Sequence, residues 1–228
     1  MRILTASPPM RHRLLTALSL CVVAVLATAL GASASKHREP AHILDPNPAN
    51  DSSLLSQRMD PVSYDGGGNC VRKDPPGMKA LIKWMQKNTK KNVAYGTIRC
   101  DGGVHGTGRA LDWALDARDK RTKALAMTVI NTWMADDKRG RDNALARRMG
   151  VQLIIYNCRY WQAGDKGWNP YSACSGSHPD PTQGHIDHVH IELTKAAARL
   201  QTSYWKAGAP GGGNSGDGGG GGGGVTPG

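Results

Sequence analysis

Residues 188–193 read His-Val-His-Ile-Glu-Leu, and no other stretch constrains the fold so tightly. The run has strand character, so His188 and His190, spaced by two, place both imidazoles on the same side of a sheet. A buried strand would carry apolar side chains on that face. Two imidazoles there cost desolvation unless they bind something, and a metal is the commonest solution. A partly exposed edge strand with solvated histidines accounts for the run equally well if it is taken alone.

A distant stretch, His105-Gly-Thr-Gly-Arg-Ala-Leu-Asp112, supplies the complement. The seven-residue spacing would put His105 and Asp112 on one helix face, but Gly106 and Gly108 weaken a helix there. The more natural picture is a loop carrying His105, a glycine-assisted bend, and a strand from Arg109 to Trp113 in which Asp112 points back toward the histidine. Alone this is an ordinary polar loop. Joined to Asp187-His188-Val189-His190 it offers two imidazoles and a carboxylate as ligands, with a second carboxylate left for proton transfer. Such a set suffices for a hydrolytic zinc site.

The N-terminus carries Arg2, Arg11 and Arg13, an apolar run from Leu14 to Leu30, and then Ala32-Ser33-Ala34, the layout of a secretory signal with cleavage after Ala34. The run is short for a bilayer span of about 20 apolar residues, so no membrane insertion is expected after cleavage. Removing those three arginines from 29 basic residues leaves 26 against 18 acidic ones, a net charge of +8. That excess suits a polyanionic cell envelope and nucleic acid alike. The basic residues are scattered, however, and no specific nucleic-acid partner is expected.

Four cysteines remain, an even count that in an exported chain reads as disulfides. Three pairings are possible. Cys70 with Cys100 and Cys158 with Cys174 are favoured, because each pair would staple a Gly- or Pro-containing loop with little apolar sequence of its own. Close Cys-x-x-Cys spacing is absent, so a metal would use His and Asp.

Residues 35–64 are rich in Pro, Asn, Asp and Ser and read as a flexible linker, and residues 207–228 as a disordered Gly-rich tail. Residues 65–206 have the size of one domain. Within it, Pro75-Pro76 followed by Met78, Leu81, Ile82 and Met85 predicts an amphipathic helix, flanked by Trp84. Asn92–Ile98 predicts a strand, Arg118–Ala135 a helix with Leu125, Val129, Ile130 and Trp133 inward, and Asp142–Met149 a short helix stopped at Gly150. Val151–Tyr156 and Val189–Leu193 predict strands, and Thr194–Tyr204 a closing helix. The short, Gly-rich connections disfavour parallel crossovers. The expected class is therefore α+β, a single disulfide-stapled domain with a mostly antiparallel central sheet flanked by helices.

His-x6-Asp followed by Asp-His-x-His resembles the zinc-binding pattern of the LAS metallopeptidases, which include D-alanyl-D-alanine carboxypeptidases, lysostaphin-type endopeptidases and the hedgehog signalling domain. More closely, His105 to Ala114, the strand ending in Tyr-Asn-Cys-Arg-Tyr-Trp, Gly167-Trp168-Asn-Pro-Tyr171 and Gly184 to Leu193 resemble exported actinobacterial-type proteins with an ARB_07466-like C-terminal domain. The likeness covers about residues 75–195. It implies that His105, Asp112 and His190 hold one zinc per chain with a fourth position open, as in catalytic sites. It further implies Asp187 as general base, with a raised pKa, and His188 as an auxiliary that stabilises the oxyanion. In a regular strand Asp187 would face away from both histidines, so it reaches the site only if the strand begins at or after it.

Arg99, Arg109, Trp168 and Tyr171 are candidate substrate-binding residues. Arg109 could instead brace its loop, and Trp161 and the other aromatics could serve the core. His185 reads as a solvated loop residue or an outer partner of the site, and His178 carries no signal. The expected function is a secreted or cell-wall-associated, monomeric zinc peptidase that hydrolyses amide bonds in peptidoglycan peptides. A zinc-containing binding domain without turnover is the first alternative, and an exported metal-dependent nuclease the second.

Overall fold

The computed structural model describes residues 42–90 and 95–209, and they form one α+β domain around a six-stranded sheet. Its strands are β1 (Tyr95–Gly96), β2 (Ala110–Trp113), β3 (Val151–Tyr156), β4 (Arg159–Gln162), β5 (Asn169–Pro170) and β6 (Val189–Leu193). Their order is β1-β2-β6-β3-β4-β5 and every pairing is antiparallel. The last strand in the chain thus lies at the centre, between β2 and β3. All five of its residues are buried, which rules out the solvated edge strand.

Register decides which side chains meet. Asp112, His190 and Ile155 are neighbours across β2, β6 and β3, so they share a face. Ala110, Glu192 and Leu153 are neighbours on that same face, and Tyr160 and Gln162 of β4 join it opposite Ile155 and Leu153. The other face carries Leu111, Trp113, Val189, Ile191, Leu193, Ile154 and Trp161, all in the hydrophobic core.

The helices cover that apolar face. α1 (Ser52–Leu55) is a single turn, and α2 (Pro76–Thr89) opens on prolines that need no N–H partner and buries Met78, Leu81, Trp84 and Met85. α3 (Lys120–Met134) starts at Asp119, whose carboxylate accepts from the Arg121 and Thr122 N–H groups, and it buries Val129, Ile130 and Trp133. Trp84 and Trp133 stack with ring centroids 5.8 Å apart. α4 (Ala144–Met149) ends at Gly150 as expected. The closing helix is divided into α5 (Lys195–Ala198) and α6 (Ser203–Lys206), because Leu200 adopts a left-handed φ of 59° that a continuous helix cannot accommodate. The predicted 92–98 strand is shorter, only Tyr95–Gly96 among the described residues.

The segment expected to be a flexible linker differs where it is described. Ala49 and Leu54 are fully buried in the core. The Leu44 N–H donates to Thr132 Oγ1 at 2.9 Å, Lys138 N–H to Asn50 Oδ1 at 2.7 Å, and Arg141 to the Gln57 carbonyl at 3.0 Å. Asp60 accepts from the Ser203 N–H at 3.0 Å. Residues 42–64 therefore belong to the domain. Composition missed this because two apolar anchors and a series of long-range polar bonds hold the segment, and neither raises its mean hydropathy.

Both expected disulfides are present, Cys70–Cys100 and Cys158–Cys174. The first ties the approach to α2 to the loop before His105. The second closes the 158–174 loop, and Gly184 packs on it so closely that a Cβ there would lie 2.8 Å from Cys174 Sγ. The expected signal sequence of residues 1–34 and the expected Gly-rich tail beyond residue 209 lie outside the described residues. Among those described, no helix is long and apolar enough to cross a membrane.

Candidate metal centre

His105 sits in a 3₁₀ turn, Val104–Thr107, that ends at Gly108 with φ 67°. A side chain at Gly108 would be strained by that φ and would bring its Cβ to 2.8 Å from Pro75 Cδ. The turn returns His105 over β2, where its Nδ1 meets the Thr97 carbonyl oxygen. A carbonyl can only accept, so Nδ1 carries the proton and Nε2 presents a lone pair to the interior. His190 is fixed in the opposite sense. Its Nε2 lies 3.1 Å from Glu192 Oε1, which leaves Nδ1 facing Asp112.

Three donor atoms converge as a result. Asp112 Oδ1 is 2.9 Å from His190 Nδ1 and 3.2 Å from His105 Nε2, and the two nitrogens are 3.3 Å apart. His105, Asp112 and His190 thus form a group that could hold a metal ion. The two histidines are 4% and 7% exposed, so little water competes for the position. Arg99 pairs with Asp112 through the other carboxylate oxygen, Oδ2, leaving Oδ1 to the histidines. Burial pushes the Asp112 carboxyl up, but its close polar contacts with His105, His190 and Arg99 outweigh it and hold the group far below the usual carboxylate range. Burial likewise pushes His190 down, and Asp112 and Glu192 together raise it above the ordinary imidazole value.

Strand β6 begins at Val189, so Asp187 precedes it and escapes the alternation that would have turned it away. Its Oδ1 lies 2.6 Å from His188 Nδ1, and its Oδ2 accepts from Thr182 Oγ1 at 2.7 Å. His188 Nε2 in turn lies 3.5 Å from Asp112 Oδ1. His188 therefore faces the centre and Asp187 stands behind it. Burial pushes the Asp187 carboxyl up, but the bonds from His188 and Thr182 bring it below the ordinary value. That direction is opposite to the raised pKa expected of a general base.

A cleft of about 630 Å³ opens over His190 on the polar face of the sheet, lined by Arg99, Tyr160, Gln162, Tyr171, His185 and Glu192 among others. Arg99 and Tyr171 are where a substrate-binding role would need them. Two other candidates are not. Arg109 is 4% exposed and donates to the carbonyls of Leu193 at 2.7 Å, Asp65 at 3.1 Å and Gly66, so it braces backbone instead of meeting substrate. Trp168 lines a different groove with Met127, Ile130 and Tyr156, on the face the helices cover, because Tyr156 alternates with the cleft residue Ile155. Trp161 is fully buried in the core, and the His178 ring lies against Ser177 Oγ at 3.0 Å, away from the centre.

Sequence reasoning undervalued three residues. The His185 ring lies 4.7 Å from that of His188, 5.3 Å from that of His190 and 5.2 Å from that of Tyr171, measured between centroids. Burial first, then the neighbouring histidines, lower its pKa to about 4, so it is neutral at physiological pH. Its φ of 51° in an irregular loop left no periodic signal. Tyr160 belongs to β4, a strand the sequence did not announce. Glu192 could have been found, since it follows His188 and His190 at the same two-residue interval.

A family model described as VldE, C-terminal domain, matches residues 71–186, just over half of the 228-residue chain. The chain belongs to the VldE C-terminal domain family. No curated protein and no solved structure matches it significantly. The family match includes Arg99, His105, Asp112 and His185, and it ends one residue before Asp187. The third member of the metal-capable group, His190, thus lies on β6 just beyond the part of the chain that family membership covers.

Proposed function

We propose that this chain is a secreted zinc-dependent peptidase acting on amide bonds of peptidoglycan peptides. The observation that carries the reading is the convergence of His105 Nε2, Asp112 Oδ1 and His190 Nδ1, with separations of 2.9–3.3 Å, beneath an open cleft. Tetrahedral zinc with ligand bonds of about 2.0–2.1 Å has ligand–ligand edges of about 3.3 Å, so the triangle needs little change to take that ion. Two nitrogens and one oxygen also suit zinc better than calcium, which takes six to eight oxygens. The sequence likeness to LAS metallopeptidases agrees with these three ligands.

Bound zinc would polarise the scissile carbonyl and lower the pKa of water at the open position. The chain's own residues supply the remainder. Asp187 accepts a hydrogen bond from the His188 Nδ1–H and so keeps Nε2 as the lone-pair nitrogen facing the centre. His188 is then the group that takes a proton during attack and returns it to the leaving amine, with Asp187 as its orienting partner. Arg99, half-exposed beside Asp112, offers a guanidinium to a substrate carboxylate, and Tyr160 and Tyr171 wall the peptide. Two disulfides and a net basic chain suit an extracellular, anionic polymer.

A second reading is a zinc-bearing binding domain without turnover, because the lowered pKa of Asp187 removes the expected carboxylate base and leaves proton transfer to His188 alone. Incubating the mature protein with peptidoglycan and analysing soluble fragments by mass spectrometry separates the two. A peptidase releases fragments with new amine and carboxyl ends, absent with His188→Ala. Zinc-loaded protein that binds the polymer and releases none would establish the binding domain.

A further inference from the structure

The polar face of β6 does not end at its metal-capable histidine. Glu192, 5% exposed, lies two residues farther along the same face, and its Oε1 is 3.1 Å from His190 Nε2. Its second oxygen, Oε2, accepts from Gln152 Nε2 at 2.9 Å. Gln152 is fully buried at the irregular register between Val151 and Leu153 of β3. It also clamps the segment entering the domain: Asp65 N–H donates to its Oε1 at 2.9 Å, and its Nε2 donates to the Asp65 carbonyl at 3.0 Å. The Arg109 guanidinium closes the circuit, joining the carbonyls of Asp65 and Gly66 to that of Leu193 at the end of β6.

A buried carboxylate forfeits hydration that its partners must return; among the described residues its contact ion pair is with His190, while the Arg109 guanidinium attracts it from farther off and the Tyr64 hydroxyl bonds to it. We infer that Glu192 is the positioning residue for His190, and that Gln152 and the strap at residues 64–66 hold Glu192 in place. This rests on the metal reading above. A carboxylate behind a ligating histidine fixes its ring orientation and its tautomer and raises its basicity. Here the Nε2 proton is held by Glu192, so Nδ1 is the only nitrogen of His190 available to an ion. The strap lies before residue 71, outside the family match, so ordering of the metal site depends on a part of this chain that the family does not define.

The test is zinc affinity, measured by competition with a chromophoric chelator on full-length mature protein first stripped of metal. Glu192→Gln keeps shape and burial but weakens the acceptor, and it is expected to bind zinc about tenfold to a hundredfold more weakly than the parent chain. Gln152→Leu, which never touches His190, is expected to show a smaller loss in the same direction. In the zinc-loaded parent, ¹⁵N-histidine NMR should show a slowly exchanging Nε2 proton on His190 that exchanges faster in Glu192→Gln. Melting of the metal-free proteins provides the control for folding. Affinity of Glu192→Gln within twofold of the parent would overturn the inference. So would a fall in metal-free melting temperature that accounts for the loss of affinity, since Glu192 would then be structural. A parent chain that takes up no zinc brings down the metal reading itself, which is a different result from either.

Discussion

The two faces of strand β6 are both buried and are built for opposite purposes. On one, Val189, Ile191 and Leu193 pack under the helices in contact with Leu111, Trp113 and Ile154. On the other, His190 and Glu192 lie in a row with Asp112 and Gln152, linked by hydrogen bonds in place of dispersion contacts. Burial of apolar surface contributes about 25 cal/mol per Å², so the first face stabilises the fold without further conditions. The second gains little from burial, because ionisable groups forfeit hydration that their partners only return. The fold therefore rests on one face and has room for chemistry on the other.

The largest expected effect lies on the polar face. Asp112→Ala and His105→Ala should each abolish stoichiometric zinc, read by elemental analysis of the purified chain, while the metal-free protein still melts cooperatively. Retention of one zinc per chain in both would remove these residues from the ligand set.

Ile191→Ala tests the apolar face. Truncation of a fully buried side chain there should cost about 2–5 kcal/mol in urea unfolding and leave zinc content per folded chain unchanged. If Ile191→Ala lost zinc and Asp112→Ala lost comparable stability, the division between the faces would fail.

The smallest effect concerns the segment packed on the helix side. Burial pushes Asp137 up, but bonds from the Arg141 and Arg139 N–H groups and the Arg141 guanidinium more than reverse this and lower its pKa from 3.8. A depressed folded-state pKa contributes stability that is present above the unfolded value and is lost as pH falls through the folded one. Stability should therefore drop more steeply in the parent chain than in Asp137→Asn as pH falls below the ordinary carboxylate value of 3.8, measured by urea midpoints. Parallel pH profiles would show that the Asp137–Arg141 pair does not fasten the loop that holds residues 55–57.

Much of this architecture was legible in the chain because it depends on local periodicity. Pro75-Pro76 before Met78, Leu81 and Met85 sufficed for α2, and the apolar run from Val151 for β3. The two-residue interval of His188 and His190 identified their shared face without any knowledge of neighbouring strands. Local signals failed where long-range bonds decide. Residues 42–64 read as a linker from their Pro, Asn, Asp and Ser content, yet Asn50, Gln57 and Asp60 find partners 84–143 residues away. Arg109 and Trp168 were chosen for their chemistry, and only packing could say that one braces backbone and the other lies across the sheet from the cleft.

Residue pattern and side-chain chemistry were enough for the α+β class and for the residue types that converge on the metal-capable group, and they favoured, among three possible pairings, the disulfides that are found. Tertiary structure alone decided that β6 is central, that Asp112 and His190 are cross-strand neighbours, and that Asp187 stands behind His188. It also placed Glu192 against His190 and joined it through Gln152 to Asp65. The physical reason is that strand order and register are settled by contacts between segments far apart in the chain, and no local pattern encodes which strand will lie beside which.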